Sequence, residues 1–159
     1  MRRAIISDIH ANLHALEAVM RDIEREMVDE ILCLGDIVGY GAFPSACVAL
    51  VRDSCQVVIQ GNHDQAAACD DSLDAYYDEA RYSLEWTRET LNETDRGYLA
   101  QLPLVYATER ITLVHASFPN PGEWGYLEYA GDVLQHLNHQ ESPLCLVGHT
   151  HIPGISSED

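Results

Sequence analysis

Five short apolar runs in this 159-residue chain each stop at polar residues of one chemical kind. Residues 5–7 lead into Asp8 and His10, and residues 31–34 into Gly35-Asp36. Val57-Val58-Ile59 leads into Gly61-Asn62-His63-Asp64, residues 111–114 into His115, and residues 144–147 into Gly148-His149-Thr150-His151. Apolar runs of this length, bounded by glycine and polar residues, read as buried strands. In parallel α/β sheets the carboxyl ends of the strands open on one crevice. A fold that sets these runs side by side therefore gathers two aspartates, one asparagine and four or five histidines at one place.

The intervals between the runs fit such a fold. Residues 3–7 and 30–34 read as strands. Asn12 can cap a helix in which Leu13, Leu16, Val19, Met20 and Ile23 recur at helical spacing, to about residue 27. Pro44 suits the first turn of a second helix ending near residue 52, and residues 55–60 form a third strand. Strand and helix alternating with short connections is the pattern of a parallel sheet in a layered α/β fold. Gly61-Asn62-His63-Asp64 reads as the loop after the third strand. Residues 65–103 read as a helical insertion near the site, with an acidic loop at 70–74, a helix at 75–90 and another from Asn92 to a stop at Pro103. Residues 104–107 and 110–114 read as a strand pair. A Pro- and Gly-rich loop at 119–125, a helix at 131–139 and a last strand at 144–147 complete the chain, which is expected to form a single domain, residues 1–159.

Composition narrows the chemistry. A net charge of −17, with nine arginines and no lysine, argues against nucleic acid as a non-specific partner and against an anionic membrane surface. An acidic chain that handles phosphate needs positive charge from elsewhere, and metal ions are a source. The donors are oxygen and imidazole without thiolate, which suits manganese, iron, zinc or nickel rather than calcium. Asp8, His10, Asp36, Asn62, His115, His149 and His151 are too many for one ion. They suit two divalent ions roughly 3.5–4 Å apart with one bridging carboxylate, an arrangement that binds phosphate and activates water near neutral pH. No apolar run approaches the ~20 residues of a membrane span. The N-terminal run is too short for a secretory signal, so a cytoplasmic location is expected. The five cysteines are odd in number and lack a Cys-x-x-Cys spacing, and they read as buried thiols.

Taken singly, each motif has an ordinary structural explanation. In this order, Asp-x-His, Gly-Asp, Gly-Asn-His-Asp, His and Gly-His-Thr-His resemble the calcineurin-like metallophosphoesterases. Residues 7–13 and 35–41 are similar to the small bacterial and archaeal phosphodiesterase subgroup. The resemblance implies a layered β-sandwich flanked by helices. It implies two ions, manganese first among those named for both, one on Asp8, His10 and His151 and the other on Asn62, His115 and His149, with Asp36 between them. His63 would face the substrate as a catalytic residue, with Asp64 orienting it. The implied function is phosphoester hydrolysis by metal-bound hydroxide, on a phosphodiester or another small phosphorylated compound. A phosphomonoesterase or protein phosphatase stays open as an alternative, as does a non-catalytic interaction module on the same scaffold.

Two departures stand out. His115 is followed by Ala116 where members often have glycine. The family also continues beyond its Gly-His-Thr-His loop with strands that complete the second sheet, so the fold is expected to be incomplete at its C-terminus. Dimerisation or domain swapping would cover the edge left there. Elsewhere, His14, His136 and His139 read as solvated surface. Tyr76, Tyr77, Tyr82 and Trp86 read as packing, and Tyr40 as a residue bordering the pocket.

Overall fold

The alternation of Ile31, Leu32, Cys33 and Leu34 decides how the layers stack. The computed structural model describes residues 1–157. In it β2 (Glu30–Cys33) is the middle strand of a parallel sheet, flanked by β1 (Arg3–Ile6) and β3 (Val57–Val58). The register pairs Ile6 with Cys33 and Cys33 with Val58. Successive side chains on a strand face opposite sides. Ile31 and Cys33 accordingly join Ile6, Leu16, Val48, Val51, Leu84 and Leu99 in a core against helices, while Leu32 and Leu34 join Ile59, Ile111 and Leu113 in a second core.

The helical side includes α1 (Leu13–Arg25), α2 (Pro44–Ser54), α3 (Asn62–Ala68), α4 (Asp78–Thr90) and α5 (Glu93–Ala100). Asn12 caps α1 as expected, its Oδ1 accepting the Ala15 N–H at 3.1 Å. The other side is a second sheet of β4 (Val105–Ala107), β5 (Thr112–Val114) and β6 (Cys145–Leu146). In it β5 runs antiparallel to β4 and parallel to β6. A short 3-10 turn (Pro121–Glu123) and α6 (Ala130–Leu137) connect β5 to β6. The five runs are thus shared between two facing sheets, giving the expected layered α/β sandwich.

Three local expectations are corrected. Residues 62–68 are helical rather than a loop, because Asp64 accepts the Gly61 N–H at 3.1 Å and three alanines continue the turn. The next helix begins at Asp78 rather than at residue 75. His136 is buried rather than solvated; its Nδ1 accepts the Phe118 N–H at 3.2 Å. Among the described residues no helix is long and apolar enough to cross a membrane.

Candidate metal centre

The strand ends reach the centre through backbone that L-residues adopt at a cost. Among the described residues nine non-glycine positions have positive φ, and five of them are Asp8, His10, Asp36, His149 and His151. Left-handed conformations of this kind cost about 1–3 kcal/mol each and persist where the surroundings fix them. Here the loops brace one another: the Asp8 N–H donates to Gly35 O at 3.0 Å and the His10 N–H to Asp36 O at 2.9 Å. Glycine is required at position 61, where a Cβ would overlap the Asp36 carboxylate. That close approach lets the His63 N–H donate to Asp36 Oδ1 at 2.9 Å.

The imidazoles are oriented by bonds on their outer sides. His10 Nδ1 lies 3.2 Å from Val38 O, His115 Nδ1 2.6 Å from Leu34 O, and His149 Nε2 2.9 Å from Trp124 O. A carbonyl only accepts, so each outer nitrogen carries a proton and the inner one is the nitrogen that can take a metal ion. This is the usual way a ligating histidine is held. The inner atoms converge. Asp36 Oδ2 lies 3.3 Å from His115 Nε2 and 3.7 Å from His10 Nε2. His10 Nε2 is 3.3 Å from His151 Nε2, which is 3.1 Å from Asp8 Oδ1. Three groups of potential ligand atoms follow, Asp8-His10-His151, His10-Asp36-His63 and Asp36-His115-His149.

Two observations show that cations fit this ring. Among the described residues the buried side-chain polar atoms without a partner are Ser7 Oγ, Asn62 Oδ1, His63 Nδ1 and His115 Nε2. Unsatisfied buried polar atoms are costly, and Asn62 Oδ1 and His115 Nε2 are donors of the expected second ligand set. The second observation is charge. Burial alone would lower the His115 pKa, but the Asp36 and Asp8 carboxylates outweigh it and raise it to about 9. Burial opposes ionisation of Asp36, yet His115, His63 and His10 bring it down to about 2. A centre that draws a proton onto a buried imidazole favours positive charge, which a metal ion supplies as well.

A family model described as the calcineurin-like phosphoesterase superfamily domain matches residues 1–159. The chain belongs to that superfamily. It is 38% identical over 162 residues to an uncharacterised protein of Methanocaldococcus jannaschii, covering 98% of this chain and 65% of the relative. Among solved structures, a metallophosphoesterase from Sphaerobacter thermophilus is 44% identical with a TM-score of 0.84, over 96% of this chain and 61% of that one. A hypothetical protein from Pyrococcus horikoshii shares the fold at 22% identity and a TM-score of 0.78, over 96% of this chain and 70% of that one. The chain therefore spans somewhat under two thirds of the length of the M. jannaschii and S. thermophilus relatives.

One expected site residue stands apart in this phosphoesterase domain. Among the described residues Asp64 makes no hydrogen bond to the His63 ring it was expected to orient. Its Oδ1 accepts the N–H groups of Ile37 and Val38 at 2.8 and 3.2 Å, and its Oδ2 accepts that of Gly61. Residues 63 and 64 are consecutive on α3, so their side chains point about 100° apart. Burial and the Asp36 charge push Asp64 up to about 7, against the pull of these N–H donors. The backbone of Gly39, at φ +91, closes over His63 Nδ1, where a Cβ could not fit. Burial lowers His63 to about 4, leaving a neutral ring. Two contributors escaped sequence reasoning. Trp124 holds His149 through its carbonyl, and Tyr126 stacks on His149 with ring centroids 4.2 Å apart. Both lie at the end of a loop that carries no periodic signal.

Proposed function

We propose that the domain is a metal-dependent phosphoester hydrolase acting on a small phosphodiester. The observation that carries this reading is the position of Asp36 Oδ2 between His10 Nε2 and His115 Nε2, one from each expected ligand set. Asp8, His10 and His151 would hold one divalent ion, Asn62, His115 and His149 the other, with Asp36 shared. Bound there, the two ions supply the positive charge that holds a phosphoryl group and bring water to a nucleophilic state near neutral pH. Oxygen and imidazole donors suit manganese, with iron, zinc and nickel as the other candidates.

The chain's own groups do the rest. With Nδ1 sealed under Gly39, the neutral tautomer of His63 carries its proton on Nε2, which donates a hydrogen bond to a phosphoryl oxygen and steadies the charge that builds there. Asp36 Oδ1 fixes the backbone beneath that ring through the His63 N–H. The Tyr76 hydroxyl accepts from Asn62 Nδ2 at 3.5 Å, which leaves Asn62 Oδ1 free to hold the ion it would bind. Among the described residues no arginine lines the cleft, which favours the single charge of a diester over the double charge of a monoester.

The test compares bis(p-nitrophenyl) phosphate with p-nitrophenyl phosphate, with manganese and after chelation, beside His63→Ala. The reading requires manganese-dependent turnover that prefers the diester. Loss of His63 should lower that turnover by on the order of 10²–10³. Turnover indifferent to both chelation and His63→Ala would leave the interaction-module reading in its place.

A further inference from the structure

Outside the ring of donors the cleft is walled by aromatic side chains, of which Tyr40 and Tyr77 have no part in the proposed hydrolysis. On one side Tyr40 stands edge-on to His10, centroids 4.9 Å apart, and Tyr76 edge-on to His63 at 5.6 Å. Tyr77 extends this wall, its hydroxyl bonded to that of Tyr40. On the other side Trp124 stands edge-on to His115 at 6.0 Å, and Tyr126 lies nearly parallel to His149, at 27°. The walls come from segments far apart in the chain, yet they line one cleft of about 390 Å³. That volume suits a small organic ligand.

Tyr76 packs against the helix-side core, but three of these rings do not serve as core. Tyr40 is 42% exposed, Tyr126 54% and Tyr77 61%. An exposed apolar surface gathered in one concavity marks a binding site more often than a packing defect. Charge narrows the ligand. Arg81 pairs with Asp78 and Arg96 with Asp70, and Arg88 donates to the carbonyls of Ala66 and Asp71. Beyond the candidate ligands and His63, the charged side chain at the rim is Glu123. With no arginine among the described residues that line the cleft, aromatic faces are what remains to recognise the part of an ester beyond its phosphate.

We propose that the two aromatic walls grip a flat aromatic substituent, so that the cleft selects aryl or nucleoside phosphodiesters over alkyl ones. The proposal rests on the reading that the metal pair holds the phosphoryl group. Aromatic stacking is tolerant of the ring's identity, because every base and every arene presents a π face. An aryl ester and a nucleoside ester therefore satisfy the same walls.

The test measures binding, by titration calorimetry, to the manganese-loaded full chain. Ethyl phenylphosphonate and ethyl methylphosphonate each carry one negative charge and differ in the ring. The phenyl compound should bind about tenfold tighter, the effect expected of one stacked ring. In Tyr126→Leu and in Tyr77→Leu that ratio should fall toward one, and in Tyr82→Leu, whose ring is 75% exposed on α4 outside the cleft, it should not change. The methyl ester of thymidine 5′-monophosphate distinguishes the sources: binding tighter than the phenyl compound assigns nucleoside esters, and weaker binding assigns aryl esters. A wild-type ratio below about twofold, or a ratio that survives both leucine variants, overturns the proposal. If the ratio holds while no manganese-dependent hydrolysis is found, the aromatic pocket stands and the hydrolase reading fails.

Discussion

The sheet of β1, β2 and β3 delivers Asp8, His10, Asp36, Asn62 and His63 from a helix-side core that has fourteen buried residues among those described. The sheet of β4, β5 and β6 delivers His115, His149 and His151 from a core of five, of which Leu32, Leu34 and Ile59 belong to the first sheet's segments. Exposure singles out the last ligand run: the side chains of Asp36 and His115 are 2% and 0% exposed, whereas that of His151, at the far end of the second sheet, is 54% exposed. Leu144 and Val147, flanking β6, are also open to solvent. Much of what ties the second sheet to the first runs through the centre itself. His115 Nδ1 donates to Leu34 O, the His149 N–H donates to Asp8 Oδ1 at 3.2 Å, and His151 approaches the same oxygen. The first sheet is held by hydrophobic burial, and the second relies more on the polar centre.

Removing the shared carboxylate breaks this joint most directly. In Asp36→Asn the oxygen between His10 and His115 loses its charge, and manganese-dependent hydrolysis should fall by on the order of 10³ or more. Initial rates with bis(p-nitrophenyl) phosphate, beside metal content per chain, are the measurement. Retention of a tenth of the wild-type rate with full metal content would take Asp36 out of the centre.

The two cores can be set against each other by cavities. Leu84→Ala and Leu113→Ala each empty a fully buried site and should cost about 2–5 kcal/mol. The consequences should differ in place. Leu84→Ala lowers the denaturant midpoint of the whole chain, whereas Leu113→Ala strips hydrogen-exchange protection from β5 and β6 while β1 and β2 keep theirs. Manganese at a hundred times its Kd should return about 2.7 kcal/mol, and most of the regained protection should appear at β5 and β6. Equal recovery in both sheets would erase the asymmetry.

That asymmetry also explains what could be read from the sequence. The strand ends of the first sheet were legible because apolar runs, a capping Asn12 and Pro44 agree with one another. The ligand residues were legible because each follows such a run. The division into two sheets was not, since β5 and β6 are short and nothing local says which sheet a run will join. The helical start at Asn62 was hidden by the Gly61-Asn62 pair, which reads as a turn until Asp64 bonds the Gly61 N–H. Trp124 and Tyr126 were invisible because their roles depend on a carbonyl and a ring meeting His149 from across the fold.

Asp64 offers a smaller and sharper test of how the first sheet is built. Its carboxylate faces three backbone N–H groups of the Asp36 loop and α3. Asp64→Asn replaces one of those acceptors with a donor and should cost about 1–3 kcal/mol of stability. The limb of the pH–rate profile that belongs to His63 should stay where it is, because the two side chains do not meet. A displaced limb at unchanged stability would restore Asp64 as the group that orients His63.

The slightest expected effect lies on the second sheet's side, at His136. The ring is buried, with its Nδ1 accepting the Phe118 N–H, and burial lowers its pKa below the ordinary value. The folded chain therefore prefers the neutral ring, while the unfolded chain protonates at the usual pH near 6.5. Above that pH both states are neutral and His136 adds no pH dependence. Below it the unfolded state binds the extra proton, so stability falls as the solution is acidified until the folded ring also titrates. His136→Asn keeps an acceptor for Phe118 and removes the titration. Thermal midpoints of the metal-free protein between pH 7 and 5 should fall less steeply in the variant than in the wild type. Parallel slopes would mean that the ring is reached by solvent and that this corner of the second sheet is looser than its buried histidine implies.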